Sequence, residues 1–399
     1  MTLPPDFHDW IAAHTGEDPS RLRLKYGAAR APEILQIESR HKHRAKLAGA
    51  LERRPDLLFP TSLAAEQASS WALAEWHAGL VEPGSDVVDL TAGLGIDLLA
   101  MEAHGCRLTA VELDPEIADA LRYNFPDATV VCADCRQFVS EALAAGRRFD
   151  VVFIDPARRG EQGQRLYALD QCSPDVVAMM PDLLRLATQV IVKASPMLDI
   201  SHTLAALPAC HHIYATGTPT ECKELVAVCA GDTPPSEVPV TAVTIGAGEL
   251  TFTRAEEAAA RDTFGIPSPA DYVFNPYPAV MKAAPFKLLC ELYVLRRLGP
   301  NTSLWTAPAP HADFPGRSYL VDEVLPYASR HIKRLASRYP LLGVTTRNFG
   351  LDAAALRRKL GLRGDSGIVG DEVHADAAAL QRGADALGGV LHGGLAGES

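Results

Sequence analysis

Four carboxylates stand where four apolar segments of this 399-residue chain should end: Asp89, Glu112, Asp134 and Asp155. The segments before them, Asp86-Val-Val, Arg107-Leu-Thr-Ala-Val, Ala128-Thr-Val-Val-Cys132 and Phe149-Asp-Val-Val-Phe-Ile154, are rich in β-branched residues and read as strands. In an open parallel sheet, ligands bind at the carboxyl ends of strands, where these acids would lie. Between the first two acids runs Leu90-Thr-Ala-Gly-Leu-Gly-Ile-Asp97, in which Gly93 and Gly95 allow a tight backbone turn against a ligand. Strand, glycine turn, helix, strand and terminal acid form a nucleoside-binding unit, with Glu112 placed to accept hydrogen bonds from ribose hydroxyls. Taken alone the turn is weak evidence, because strand-to-helix turns also use glycine for packing.

The spacing narrows the nucleoside. A dinucleotide fingerprint, Gly-x-Gly-x-x-Gly, seats a pyrophosphate on the helix N-terminus. Here the series is Gly93-x-Gly95-x-Asp97, which puts a carboxylate in the turn. A phosphate would be repelled there, whereas a cationic sulfonium would be drawn in. That favours S-adenosylmethionine.

These residues need a scaffold, and the rest of the pattern supplies one. Further strands are expected at Gln189–Lys193, His212–Thr216 and Glu224–Cys229, alternating with helical stretches such as the one from Pro115 to about Asn124. Such alternation predicts an α/β fold with a mostly parallel, seven-stranded sheet covered on both faces. Residues 1–80 read as helical, with Ala45 to Leu51 and Ser62 to Gly79 in helical spacing. A turn-rich linker over Gly231–Pro239 closes the core at 81–232. A β-rich extension (233–270) follows, then a segment (271–325) with a helix reaching about Leu298, and a last region (326–399).

Composition bounds the partners. No basic leader followed by an apolar run opens the chain, and no apolar stretch approaches a membrane span. The eight cysteines lack framework spacing, which suits a cytoplasmic protein, and one Cys132-x-x-Cys135 pair without a partner pair does not predict a metal site. We expect no metal, no membrane and a monomer. The net charge of −11 is unevenly spread: residues 20–54 hold ten Lys/Arg against three acids, and residues 326–363 nine against Asp352 alone. Two basic segments in an acidic chain are the expected footprint of a polyanion-binding surface, with solvated helix faces as the alternative. The candidate contacts are Arg334, Arg338, Arg357 and Arg358.

From about Leu35 to Arg363 the chain resembles the bacterial class I methyltransferases that carry a ferredoxin-like segment and a C-terminal THUMP-like domain. The resemblance rests on Leu63-Ala-Ala-Glu-Gln-Ala-Ser-Ser70, Asp155-Pro-Ala-Arg-Arg159, Lys193-Ala-Ser-Pro-Met-Leu-Asp-Ile200, Glu221-Cys-Lys-Glu-Leu225, Phe314-Pro-Gly-Arg317 and Thr346-Arg-Asn-Phe349. More distantly, the core is similar to trimethylguanosine synthase. The resemblance implies a Rossmann-like S-adenosylmethionine enzyme acting on RNA, either tRNA or rRNA. It places the ferredoxin-like segment at 271–325 and the THUMP-like domain at 326–399. It also implies that Asp134 meets the adenine amino group, and that Asp89, Thr91, Ala92, Gly93, Gly95, Glu112, Leu113, Cys135 and Asp155 line the cofactor, with Glu66 and Gln67 closing over its methionine end.

Methyl transfer requires an acceptor held in line with the methyl and one proton managed. Enzymes that methylate amino groups use Asp or Asn followed by Pro-Pro-aromatic after the fourth strand. Here Asp155-Pro156 supplies the acceptor and the bend, but Ala157-Arg158 replaces the rest, with Arg158 able to stack on a base or pin a phosphate. The catalytic candidates are therefore Asp155, Pro156 and Arg158, acting on a base nitrogen. Carbon methylation needs a nucleophilic thiol after the fifth strand, and that position reads Lys193-Ala-Ser-Pro196. The alternatives are a catalytically silent RNA-binding protein that keeps the fold, and a methyltransferase for protein or small-molecule substrates.

Overall fold

A computed structural model describes residues 3–158, 169–234, 236–326, 343–347, 350–361, 372–376 and 389–395. Two compact units divide the chain: residues 1–213 with 224–236, and residues 214–223 with 237–399.

The first sheet contains strands β1 (Asp86–Asp89), β2 (Arg107–Glu112), β3 (Thr129–Cys132), β4 (Phe149–Ile154), β7 (Ala187–Ala194), β8 (Cys210–Gly217) and β9 (Cys222–Ala230). A two-residue ribbon, β5 (Ala157–Arg158) with β6 (Cys172–Ser173), lies between β4 and β7 in sequence. Those seven strands, part of a nine-stranded sheet, run in the order β8-β9-β7-β4-β1-β2-β3. Pairings among β1, β2, β3, β4 and β7 are parallel, and β9 lies antiparallel to β7. Val87, Val88, Val152, Ile154, Val190, Ile191 and Val192 are almost wholly buried, as a sheet covered on both faces demands. The mostly parallel sheet expected from the sequence is present, but it counts nine strands rather than seven.

Helices follow the strands and start at carboxylates. Asp114 caps α8 (Pro115–Asn124), Asp134 caps α9 (Cys135–Ala144), Asp175 caps α10 (Val176–Leu186) and Asp199 caps α11 (Ile200–Ala206). Each side chain accepts from a first-turn N–H, offsetting one of the orphan donors there. The helix α7 (Ile96–Ala103) instead begins at Gly95, in the left-handed region at φ 82°. A Cβ on Gly95 would sit 2.5 Å from Phe125 Cε2 and 2.9 Å from Leu121 Cδ2, so backbone conformation and packing both require glycine.

The N-terminal helices are α1 (Phe7–His14), α2 (Pro19–Tyr26), α3 (Ala31–Lys42), α4 (Arg44–Arg53), α5 (Ser62–Gln67) and α6 (Trp71–Ala78). Phe7, Ile11, Leu22, Ile34, Ile37 and Leu58 share a core with Ala120 of α8. The buried segment Leu57–Pro60 has no strand partner, and two amides satisfy its backbone in place of a ladder. Asn124 pairs with both polar groups of Leu58, at 2.8 and 3.0 Å, and Gln36 with both of Phe59, at 2.9 Å. The sequence pattern read Ser62 to Gly79 as one helix. The chain breaks at Ala68, whose ψ is 150°, and restarts at α6 under the cap of Ser70.

In the second unit, β10 (Val240–Thr244) and β11 (Gly248–Phe252) form an antiparallel hairpin followed by α12 (Arg254–Ala259). A separate seven-stranded sheet comprises β12 (Tyr272–Pro276), β13 (Arg296–Arg297), β14 (Trp305–Ala307), β15 (Gly316–Pro326), β16 (Gly343–Arg347), β17 (Glu372–Asp376) and β18 (Gly389–Leu395). Its order is β13-β14-β12-β15-β18-β17-β16. The helix expected up to Leu298 is two short ones, α13 (Pro278–Ala283) and α14 (Leu288–Leu292), followed by β13. Ala284, left-handed at φ 63°, ends the first, and Pro285 cannot continue it.

Candidate active site

At the carboxyl end of β1, Asp89 is buried and accepts from the Thr91 N–H at 2.9 Å. The Thr91 hydroxyl in turn accepts the N–H of Asp155, at 2.8 Å, and so ties the end of β4 to the turn after β1. Glu112, at the end of β2, accepts from the Gly93 N–H and the Asp114 N–H, each at 2.9 Å. Gly93 sits at φ 53°, and a Cβ there would meet nothing nearer than the Thr91 carbonyl at 3.9 Å. The backbone at Gly93 therefore faces open space on the side a ligand could occupy.

The remaining candidates are placed as follows. Ala92 is buried, its N–H bonded to the Val111 carbonyl at 3.1 Å, while Leu113 is 69% exposed beside Glu112. The Ala133 N–H bonds the Glu112 carbonyl at 3.0 Å, so Asp134 begins the next turn along the same edge. Arg136 grips the Asp134 carboxylate through its side chain and its backbone N–H, holding the acid down at about 2. Burial pushes the Cys135 thiol up to about 11, which leaves it unreactive at neutral pH. Glu66 is exposed and paired with Lys42 at 2.8 Å, and Gln67 is exposed at the last position of α5. Pro156 follows β4, and Arg158 pairs along the backbone with Cys172. Arg334 and Arg338 lie outside the described residues. Arg357 and Arg358 fall in the last turn of the helix Ala353–Leu360, where cations complement the helix dipole.

Sequence reasoning allows Lys193 to pair with Asp155 or to contact RNA, and misses the groups behind that pair. Lys193, at the end of β7, is buried with its ammonium 2.8 Å from Asp155 Oδ2 and 2.9 Å from Ser69 Oγ. Two further carboxylates, Asp97 and Glu224, lie 3.7 and 3.9 Å from it. His77 on α6, fully enclosed, bridges those two: Nδ1 to Asp97 Oδ1 at 2.7 Å and Nε2 to Glu224 Oε1 at 2.6 Å. Burial alone would lower the His77 value, but the two carboxylates outweigh it and raise it to about 9. Both ring nitrogens donate, so the ring is an imidazolium at neutral pH. Burial opposes ionisation of Asp97, yet Lys193, His77 and the Ser69 hydroxyl at 2.6 Å hold it well below the usual carboxylate range. Asp89 has too little compensation, and burial pushes it up to about 8.

This corrects the reading of Asp97. Its carboxylate is turned into a buried network with α6 and β7, where it is neutralised, and it does not stand in the turn to repel a phosphate. The motif residues Ser69 and Glu224 were visible in the sequence without a role. The basic N-terminal segment changes meaning too. Six of its ten cations have partners within the fold: Arg23 with Glu38, Arg30 with Asp6 and Glu33, Lys42 with Glu66, Arg54 with Glu102, and Arg40 and Lys46 on backbone carbonyls. Among the described residues, no group of His, Cys, Asp and Glu is arranged to hold a metal ion, and no helix is long and apolar enough to cross a membrane.

Comparison with known proteins bears on the fold and its domains. The model of a ferredoxin-like domain matches residues 272–315, and that of a THUMP domain-like family matches residues 316–372. A crystal structure from Porphyromonas gingivalis W83, provisionally assigned as a methyltransferase, superposes with a TM-score of 0.83 at 26% identity, covering 99% of both chains. The chain is a class I methyltransferase-fold protein with ferredoxin-like and THUMP-like domains. It is also 32% identical over 157 residues to ribosomal RNA small subunit methyltransferase J of Edwardsiella ictaluri (strain 93-146). That match covers 33% of this chain and 62% of the relative's length. The two C-terminal models fall on one sheet, since β12 of the first pairs with β15 of the second.

Proposed function

We propose that this protein is an S-adenosylmethionine-dependent methyltransferase that modifies a base nitrogen in RNA. The observation that carries the reading is the junction of Asp155 with the open glycine turn: the Thr91 hydroxyl joins them at 2.8 Å. A proton acceptor and a nucleoside cradle thereby share one wall. S-adenosylmethionine, when bound, supplies a methyl group made electrophilic by its sulfonium. The residues fit it. The turn from Asp89 through Thr91, Ala92 and Gly93 to Gly95 would receive the amino-acid end, Glu112 the ribose, and Leu113, Asp134 and Cys135 the adenine. Around Lys193 and His77 stand three carboxylates, Asp97, Glu224 and Asp155, an excess of negative charge suited to a sulfonium. Asp155 accepts the hydrogen bond and then the proton of the target amine, and Pro156 fixes the bend that presents it.

Glu112 provides the direct test of the cofactor. Glu112→Ala should weaken S-adenosylmethionine binding by about 1–3 kcal/mol, the scale for losing a charged hydrogen-bond partner. Titration calorimetry giving wild-type affinity would refute the ribose assignment.

The RNA target is supported by the methyltransferase J similarity and the THUMP-like match. Reversing the charge of Arg334, Arg338, Arg357 and Arg358 together should raise the Michaelis constant for RNA and flatten the salt dependence of binding. Each lost phosphate contact removes about 0.7–0.9 from the logarithmic slope. Turnover at saturation should hold. An unchanged slope would mean these are ordinary solvated charges. The RNA itself is found by offering total RNA from a strain lacking the protein and mapping the methylated nucleoside by mass spectrometry. Transfer to protein or metabolites, with none to RNA, would replace this reading.

A further inference from the structure

We infer that Lys193 is a positioning residue for Asp155, itself held by the buried bridge of Asp97, His77 and Glu224. The inference rests on the proposed role of Asp155 as acceptor for the target amine. Asp155 sits just beyond β4, half exposed, where an unrestrained carboxylate would sample several rotamers. Register brings Lys193 beside it, because Ile154 pairs with Val192 on the neighbouring strand. The long lysine stem would ordinarily be mobile, but here the side chain is 9% exposed and its ammonium surrounded. Ser69 comes from the break between α5 and α6, Asp97 from α7 and Glu224 from β9, so three separate elements fix one cation.

Behind it the imidazolium prevents the two carboxylates from competing freely for the ammonium. Each gives one oxygen to His77, at 2.7 and 2.6 Å, and its other oxygen stands 3.7 and 3.9 Å from Lys193. The shortest ion pair left to Lys193 is the one with Asp155. A network kept only for stability would gain nothing from directing its shortest contact to the exposed member, since buried ion pairs contribute little net stability over apolar packing. The arrangement sets a direction: the interior orients Lys193, and Lys193 orients the acid at the surface.

The test compares Lys193→Met, Lys193→Arg and Ser69→Ala with the wild type in three measurements. These are calorimetric binding of S-adenosylmethionine, single-turnover methyl transfer to RNA from a strain lacking the protein, and hydrogen exchange of the peptide spanning residues 150–157. K193M should cut the transfer rate about 10²-fold, the scale of a misplaced reacting group. S69A should cut it about three- to tenfold, the scale of one hydrogen bond. K193R should recover much of the loss, while cofactor affinity and the RNA concentration for half-maximal rate stay near wild type. Exchange around Asp155 should quicken about tenfold in K193M and less in S69A. Should K193M not fold, S69A and K193R carry the test. Wild-type rates and exchange in S69A, or no recovery in K193R, would overturn the inference. Absence of transfer by the wild-type protein would retire the proposed reaction instead, and the exchange measurement would still decide whether Lys193 fixes Asp155.

Discussion

Replacing His77 with alanine is expected to destabilise the protein by about 3–5 kcal/mol, the scale for breaking a buried ion pair by removing one partner. The substitution strips the donors from Asp97 Oδ1 and Glu224 Oε1, leaving Lys193 as the cation that both carboxylates share. In urea the unfolding midpoint should fall without a matching change in slope. The pH dependence identifies the cause. The folded protein holds the His77 proton up to about 9, against 6.5 for the free side chain. Stability from that proton is fully present below pH 6.5 and is lost as pH rises through 9. Asp89 adds a fall of the same sign at lower pH, because its folded value, about 8, stands above the ordinary 3.8. The wild type should therefore weaken steadily from pH 6.5 to 9, and His77→Ala should keep only the Asp89 share. A variant with the wild-type slope would show that His77 is neutral in the fold and that the bridge is not ionic.

Asp155→Ala should produce the largest kinetic loss, about 10²–10⁴-fold in turnover, the range for a positioned proton acceptor. Affinity for RNA should change little, because the carboxylate interacts with the amine most strongly as its proton is leaving. The truncation should not collapse the site: the Asp155 backbone N–H still meets Thr91, and Lys193 retains Ser69, Asp97 and Glu224. Single-turnover transfer at saturating RNA separates the outcomes. A raised Michaelis constant with unchanged turnover would make Asp155 a binding contact, and the acceptor would have to be sought elsewhere.

The parts of this architecture that were legible in the sequence are those with local signatures. Arg107–Glu112 and Phe149–Ile154 match their strands residue for residue, because buried β-branched runs ending at an acid have few other solutions. The glycines at 93 and 95 announced the turn. Strand direction was not legible: the alternation in Cys222–Ala230 is the same whether it runs with β7 or against it. The charge network was hidden for a related reason. His77 and Glu224 are 147 residues apart, and a lone histidine on an apolar helix face carries no signal of its partners. Asp97 was read as facing a ligand because spacing fixes its place at the helix start but not the direction of its side chain. The basic count over residues 20–54 likewise registered cations without the acids and carbonyls that answer them.

The pairing of β12 with β15 has a consequence for anyone dividing this protein. Residues 272–315 and 316–372 match separate family models, yet Tyr272 through Pro276 run in register with Leu320 back to Gly316. The boundary between them is a hydrogen-bonded ladder inside one sheet rather than a hinge. A cut after Pro315 would leave two raw strand edges, each a template for joining another molecule. Neither half is expected to be autonomous: produced alone, each should aggregate, and mixed together they should reconstitute the sheet.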